Sequence, residues 1–270
     1  MSQARMLTVV FAILGALLVL FLALPVVALA AGERPATLWE ALGQAQVRSA
    51  LWVSVSAAGI STAVALLLGV PMGYLLARRG FPGKAAVQAL VDMPVVVPHV
   101  VAGIALLTVL RPQGLIGGPA GRIGLRFIDA LPGTVAAMLF VSAPFVVNGA
   151  RSGFEAVSLR LEQVSRSLGA SPWQTFLRVS LPLAAAPIVS GAVMAWARAV
   201  SEFGAVLVIA YHPRVAPTLI YERFTSLGLD SARPVALLLL AVCLLLFAIL
   251  RMAARGRGVE REEARRAQGA

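Results

Sequence analysis

Six stretches of this chain, residues 7–30, 49–77, 85–110, 131–150, 184–210 and 234–250, are almost continuously apolar. Crossing a hydrocarbon layer of about 30 Å takes roughly 17–25 helical residues, and each stretch is long enough. Four of the six contain no Asp, Glu, Lys or Arg; the third holds Asp92, and the fifth holds Arg198 and Glu202. In lipid, every backbone N–H and C=O must find a partner within the protein, and these runs far exceed the length of a barrel strand. The expected fold is therefore all-α and integral to a membrane, with six transmembrane helices. Composition agrees: apolar residues make up 59% of the 270 and charged residues 13%, too few charges to cover a water-facing surface.

The net charge of +11 does not point to nucleic acid, because the arginines are scattered between apolar runs instead of lining one basic, aromatic-rich face. Their distribution sets an orientation instead. With the N-terminus inside, 14 Lys and Arg fall in cytoplasmic segments and 8 in outer ones, so both termini are expected in the cytoplasm. Ala28-Leu29-Ala30 after Arg5 resembles a signal-peptidase site, but the 24-residue run is longer than the roughly 7–15 residues of a signal core, so the first span is expected to be retained. Cys243 is the only cysteine, which rules out a disulfide or a cysteine metal site within this chain. The outer stretch 111–130, with five glycines and two prolines, reads as irregular, and residues 39–47 as a short interfacial helix. The chain divides into a first span with its outer loop (1–48), a membrane unit (49–250) and a basic, solvated tail (251–270).

The segment between the fourth and fifth spans carries the most information. Val157, Leu161, Val164 and Leu168 form one helical stripe, with Arg160, Glu162, Gln163 and Arg166 on the other sides. Gly169 stands where a helix would end in a left-handed turn. Ser171-Pro172-Trp173-Gln174 then has an N-cap, a proline at the first helical position and a capping-box glutamine. The second short helix carries Trp173, Phe176 and Leu177 on one face and runs to Leu181-Pro182. Two amphipathic helices on the arginine-rich side suit either a hairpin lying on lipid or a docking element for a soluble partner.

Glu162, Gly169 seven residues on, and Val179-Ser180-Leu181-Pro182 resemble the EAA loop of permeases in type-I ABC importers, in the expected place before the penultimate span. Gln163 and Val164 stand where the family pattern has two alanines, and Val179 where it has isoleucine. The resemblance implies that the loop inserts into a cytoplasmic ATPase and that Glu162, Gly169, Val179, Leu181 and Pro182 form the coupling element. It also implies a second copy of the chain, a dimer of ATPase subunits and an extracytoplasmic binding protein as partners. The chain would bind no cofactor, with ATP used by the partner subunit, and would catalyse no covalent chemistry. No G-x-x-x-x-G-K-[ST] occurs, since Gly83-Lys84 is preceded five residues earlier by Arg78 and followed by Ala85, so ATP binding has to come from another chain.

Arg198-Ala199-Val200-Ser201-Glu202-Phe203-Gly204-Ala205 is similar to a stretch of oxyanion permeases, and 209–226 resembles their tungstate/molybdate branch more than the sulfate or thiosulfate one. Pro94-Val95-Val96-Val97-Pro98 and 101–107 fit the same group. The resemblance spans about 49–250. Intramembrane charge marks function or a neutralising pair. Arg198 and Glu202, four apart, fit an internal ion pair or an anion-attracting site. Asp92 reads as structural, and His99 either lines the pathway at a broken helix or bonds a freed carbonyl. Gly69-x-x-x-Gly73 permits close helix packing. An ion-coupled secondary transporter would need more intramembrane acids and an inverted repeat, neither of which is evident.

Overall fold

The computed structural model of the chain describes residues 3–268, with side chains described over 5–252. In chain order the helices are α1 (Gln3–Ala31), α2 (Pro35–Gly43), α3 (Ala45–Arg78), α4 (Lys84–Val96), α5 (His99–Leu110), α6 (Gly117–Arg122), α7 (Leu131–Ala156), α8 (Leu159–Ser167), α9 (Pro172–Thr175), α10 (Leu181–Val200), α11 (Gly204–Ile209), α12 (Ala216–Leu227) and α13 (Leu229–Gln268). A π-helical stretch, Phe176–Ser180, joins α9 to α10. Among the described residues no strand occurs. Five continuous helical segments are long and apolar enough to cross a membrane, and α4 with α5 makes a sixth, bent by 117°.

The core is built from α3, α7 and α10. Gly69 lies against Val146 and Val147, and Gly73 against Ala150 and Arg151, so α3 and α7 run parallel. A Cβ on Gly73 would come within 2.6 Å of Ala150 Cβ and 2.8 Å of the Arg151 backbone nitrogen. The Gly69/Gly73 pair thus serves a crossing within one chain. Two parallel spans need a return between them, so the α4–α5 pair must carry the chain back across the layer despite its bend. α10 runs the other way, with Ala184 beside Gly153 and Gly191 beside Gly149.

Three expectations need correcting. The third span is not one straight helix. Val97 is extended (φ −69°, ψ 128°), as the residue before a proline tends to be, and Pro98 has no N–H with which to continue the ladder. The fifth span stops at Val200, ten residues short, and restarts as α11. Beyond residue 210 the chain forms α12, which packs through Ala216 and Leu219 on Val47, Ala50 and Leu51 at the start of α3. The interfacial helix ends at Gly43, so residues 45–47 already belong to α3.

α13 returns antiparallel to α12, its Val235 and Leu238 joining the same cluster. α1 stays outside the bundle, its apolar window unburied by the rest of the chain. It is tied near its end, where Arg233 donates to the Gly32 carbonyl at 3.4 Å and lies 3.8 Å from Glu33. The backbone of α13 continues through Gln268; the side chains of the basic tail lie outside the described ones.

Candidate functional site

Two polar constellations interrupt this apolar framework. The first is the hairpin of α8, α9 and the π stretch. Gly169 adopts the left-handed conformation (φ 89°), closing α8 as its position in the sequence suggests. The capping box forms: Gln174 N–H donates to Ser171 Oγ at 3.2 Å, and Ser171 N–H to Gln174 Oε1 at 2.8 Å. The second arm is not a separate helix ending at Leu181-Pro182. It runs through the π turn into α10 as one continuous piece, so a force on the hairpin acts directly on that span.

Glu162 faces inward. Its Oε1 accepts from Arg78 Nε at 3.0 Å and from Ser180 Oγ at 2.8 Å, while Arg78 Nη2 donates to the Val157 carbonyl at 2.9 Å. The two charged side chains are only 8% and 14% exposed, so the pair is a built internal contact rather than a surface bridge. It fastens the hairpin to the end of α3 on one side and to the root of α10 on the other. Ser165 and Thr175, 3.1 Å apart, tie the arms together. Beneath them Tyr74, Phe154 and Phe176 form edge-on and tilted ring contacts at 5.0–5.9 Å. Val179 is half-buried in the π stretch, and Leu181 and Pro182 are half-buried at the start of α10.

Sequence reasoning placed Glu162, Gly169 and the Leu-Pro pair but missed Arg78 and Ser180, which complete the contact. Arg78 counted only as an orienting charge; the partner of Glu162 lies 84 positions away, beyond any local pattern. Of the apolar stripe only Val157 turns inward, whereas Leu161, Val164 and Leu168 remain exposed, with Leu159, Trp173 and Leu177. That open apolar surface borders a cleft of about 510 Å³ lined in part by Arg79, Gln163 and Arg166. Apolar ridges beside arginines suit a protein partner.

The second constellation sits where the third and fifth spans break. Arg198 Nη2 is 2.8 Å from Glu202 Oε2, and His99 Nδ1 is 3.0 Å from the same oxygen. Arg198 Nη2 also lies 2.7 Å from His99 Nδ1 and 3.0 Å from its Nε2, so guanidinium, imidazole and carboxylate form one polar cluster. The other carboxylate oxygen accepts from the Ala205 N–H at 2.8 Å, capping the first turn of α11. Glu202 is buried, 1% exposed, yet fully partnered. The internal ion pair is therefore present, and His99 joins it instead of bonding a freed carbonyl. The backbones meet closely here, since a Cβ on Gly204 would fall 2.7 Å from His99 Cβ. Asp92 accepts from Asn148 Nδ2 at 2.7 Å, bracing α4 on α7 as a structural residue would.

Residues 69–258 match the family model described as "binding-protein-dependent transport system inner membrane component". The chain is 46% identical over 243 residues to the molybdate/tungstate transport system permease protein of Thermococcus kodakarensis, covering 89% of this chain and 93% of that protein. It is 44% identical over 266 residues to the protein of the same description in Pyrococcus furiosus, covering 95% and 99%. Its fold resembles a chain in the crystal structure of a bacterial ABC transporter that imports the acidic polysaccharide alginate, with TM-score 0.70 and 22% identity over 93% of this chain and 96% of that one.

Proposed function

The chain belongs to the family of inner membrane components of binding-protein-dependent transport systems, and we propose that it carries molybdate and tungstate inward as the permease of an ATP-driven importer. The similarity to molybdate/tungstate permeases over nine-tenths of the chain is the observation that carries the choice of anion. Bringing a dianion into a negative interior costs about 2 × 2.3 kcal/mol per 100 mV, so uptake against a gradient needs an external source of work. A separate ATPase supplies it. The hairpin offers that subunit an apolar, arginine-flanked surface, and Glu162, Gly169, Val179, Leu181 and Pro182 hold its shape.

In this reading the hairpin side is cytoplasmic, both termini lie on it, and an anion-loaded binding protein docks on the opposite face. Two copies, each with its unit over 49–250, enclose the pathway. The chain holds no nucleotide; ATP turns over on the paired ATPase subunits, and the surrounding partner is membrane lipid. Uptake of labelled molybdate, tungstate and sulfate by the reconstituted permease, ATPase and binding protein tests the reading. Molybdate and tungstate should enter with ATP and compete with each other, with little effect of equal sulfate. Sulfate uptake unaffected by tungstate, or uptake without the ATPase, would overturn it.

A further inference from the structure

The charged cluster at the two helix breaks faces an open cleft of about 350 Å³, lined by Pro98, His99, Arg198, Ser201, Glu202 and Gly204 among others. Resting on the oxyanion reading above, we infer that this cleft is a transient binding site for the transported tetrahedral oxyanion, with Arg198 and His99 as its donors. Exposure orders the charges in its favour. The His99 side chain is 50% exposed and that of Arg198 24%, whereas Glu202 is 1% exposed behind them. A solute entering the cleft meets imidazole and guanidinium first and the carboxylate last.

Glu202 uses one guanidinium nitrogen, Nη2, which leaves Arg198 further N–H groups in a planar fork that matches a tetrahedral oxyanion. Ser201 stands exposed at the rim, its hydroxyl donating to the Arg198 carbonyl at 3.1 Å, which sets it beside the guanidinium. Irregular backbone inside a membrane is tolerated where it lines protein or a water-filled path, and interrupted spans commonly mark the point where a transported ion is held. Both interruptions, at Val97–Pro98 and at Ser201–Phe203, meet at this cleft. Glu202 also keeps the site weak: it neutralises Arg198, so the anion is held by directed hydrogen bonds without a full unopposed charge. A site on a conducting path must let go as readily as it binds.

The test changes charge at the rim with volume held constant. Permease carrying Ser201→Asp or Ser201→Asn is assembled with its ATPase and binding protein in proteoliposomes, and labelled tungstate uptake per ATP hydrolysed is measured. A fixed negative charge at the rim repels the incoming dianion and lowers uptake by about tenfold or more for Asp relative to Asn. His99→Gln, at a half-exposed position, gives an independent reading and should also lower uptake per ATP. Equal uptake by the Asp and Asn variants overturns the site, as does unchanged uptake by His99→Gln should Ser201→Asp not assemble. No tungstate uptake by the unaltered complex overturns the oxyanion reading itself, and this inference with it.

Discussion

Glu162 is held by Arg78 and Ser180, and the geometry fixes what happens when one partner is removed. Replacing Arg78 by Met leaves a nearly buried carboxylate without a counter-charge, which costs about 3 kcal/mol for a pair of this kind. The matched double change, Arg78→Met with Glu162→Gln, should recover most of that loss, since a neutral amide still meets Ser180. Thermal unfolding of the purified permease in detergent separates the cases: a large drop in Tm for the single variant, a small one for the double. Gly69 and Gly73 make a second residue-scale pair. A Cβ at Gly73 strikes backbone, while one at Gly69 meets Val146 Cγ1 at 3.1 Å, the far end of a side chain. Gly73→Ala should cost about 2 kcal/mol and Gly69→Ala distinctly less. Equal Tm losses for the two would contradict the crossing described.

At the scale of elements, the hairpin depends on one left-handed turn. Placing Ala at Gly169 (φ 89°) costs about 1–2 kcal/mol and loosens α8 relative to α9. The expected result is faster protease cleavage between α8 and α9, together with weaker binding of the ATPase measured by co-purification. This turn was legible from the sequence because a helix stop and a capping box are local: Gly169 and Ser171-Pro172-Trp173-Gln174 carry their geometry in their own covalent structure. The six spans were legible for the same reason, since lipid imposes a minimum run length. The latch between Arg78 and Glu162 was not, because the parallel register of α3 and α7 decides it. Pro98 hinted at a break in the third span, but a proline fixes only the missing N–H, and the 117° bend depends on what α5 packs against, namely α11. Periodicity likewise grouped Leu161, Val164 and Leu168 on one face without saying what covers it. The chain alone leaves that face open.

For the whole molecule, the register of the helices fixes which segments share a side. α3 and α7 run in the same direction and end together, α12 and the start of α13 pack on the start of α3, and the end of α1 meets Arg233 of α13. The hairpin, the beginning of α1 and the far end of α13 therefore lie on one side, with the loop before α7 on the other. In the proposed orientation, which rests on the arginine bias, the hairpin side is cytoplasmic. Because Cys243 is the only native thiol, single-cysteine labelling reads this arrangement directly once Cys243 is replaced by Ala. Leu115→Cys, in the exposed stretch before α7, should react with a membrane-impermeant maleimide in intact cells. Ser167→Cys, exposed at the end of α8, should react only after the membrane is opened. Labelling of Ser167→Cys but not Leu115→Cys from outside would invert the orientation of α7 and leave the ATPase no hairpin to grip, whereas labelling of both from outside would mean that α7, the span between them, does not cross the membrane. The second outcome would also conflict with the packing of α7 along α3 and α10, so the experiment tests the topology and the packing at once.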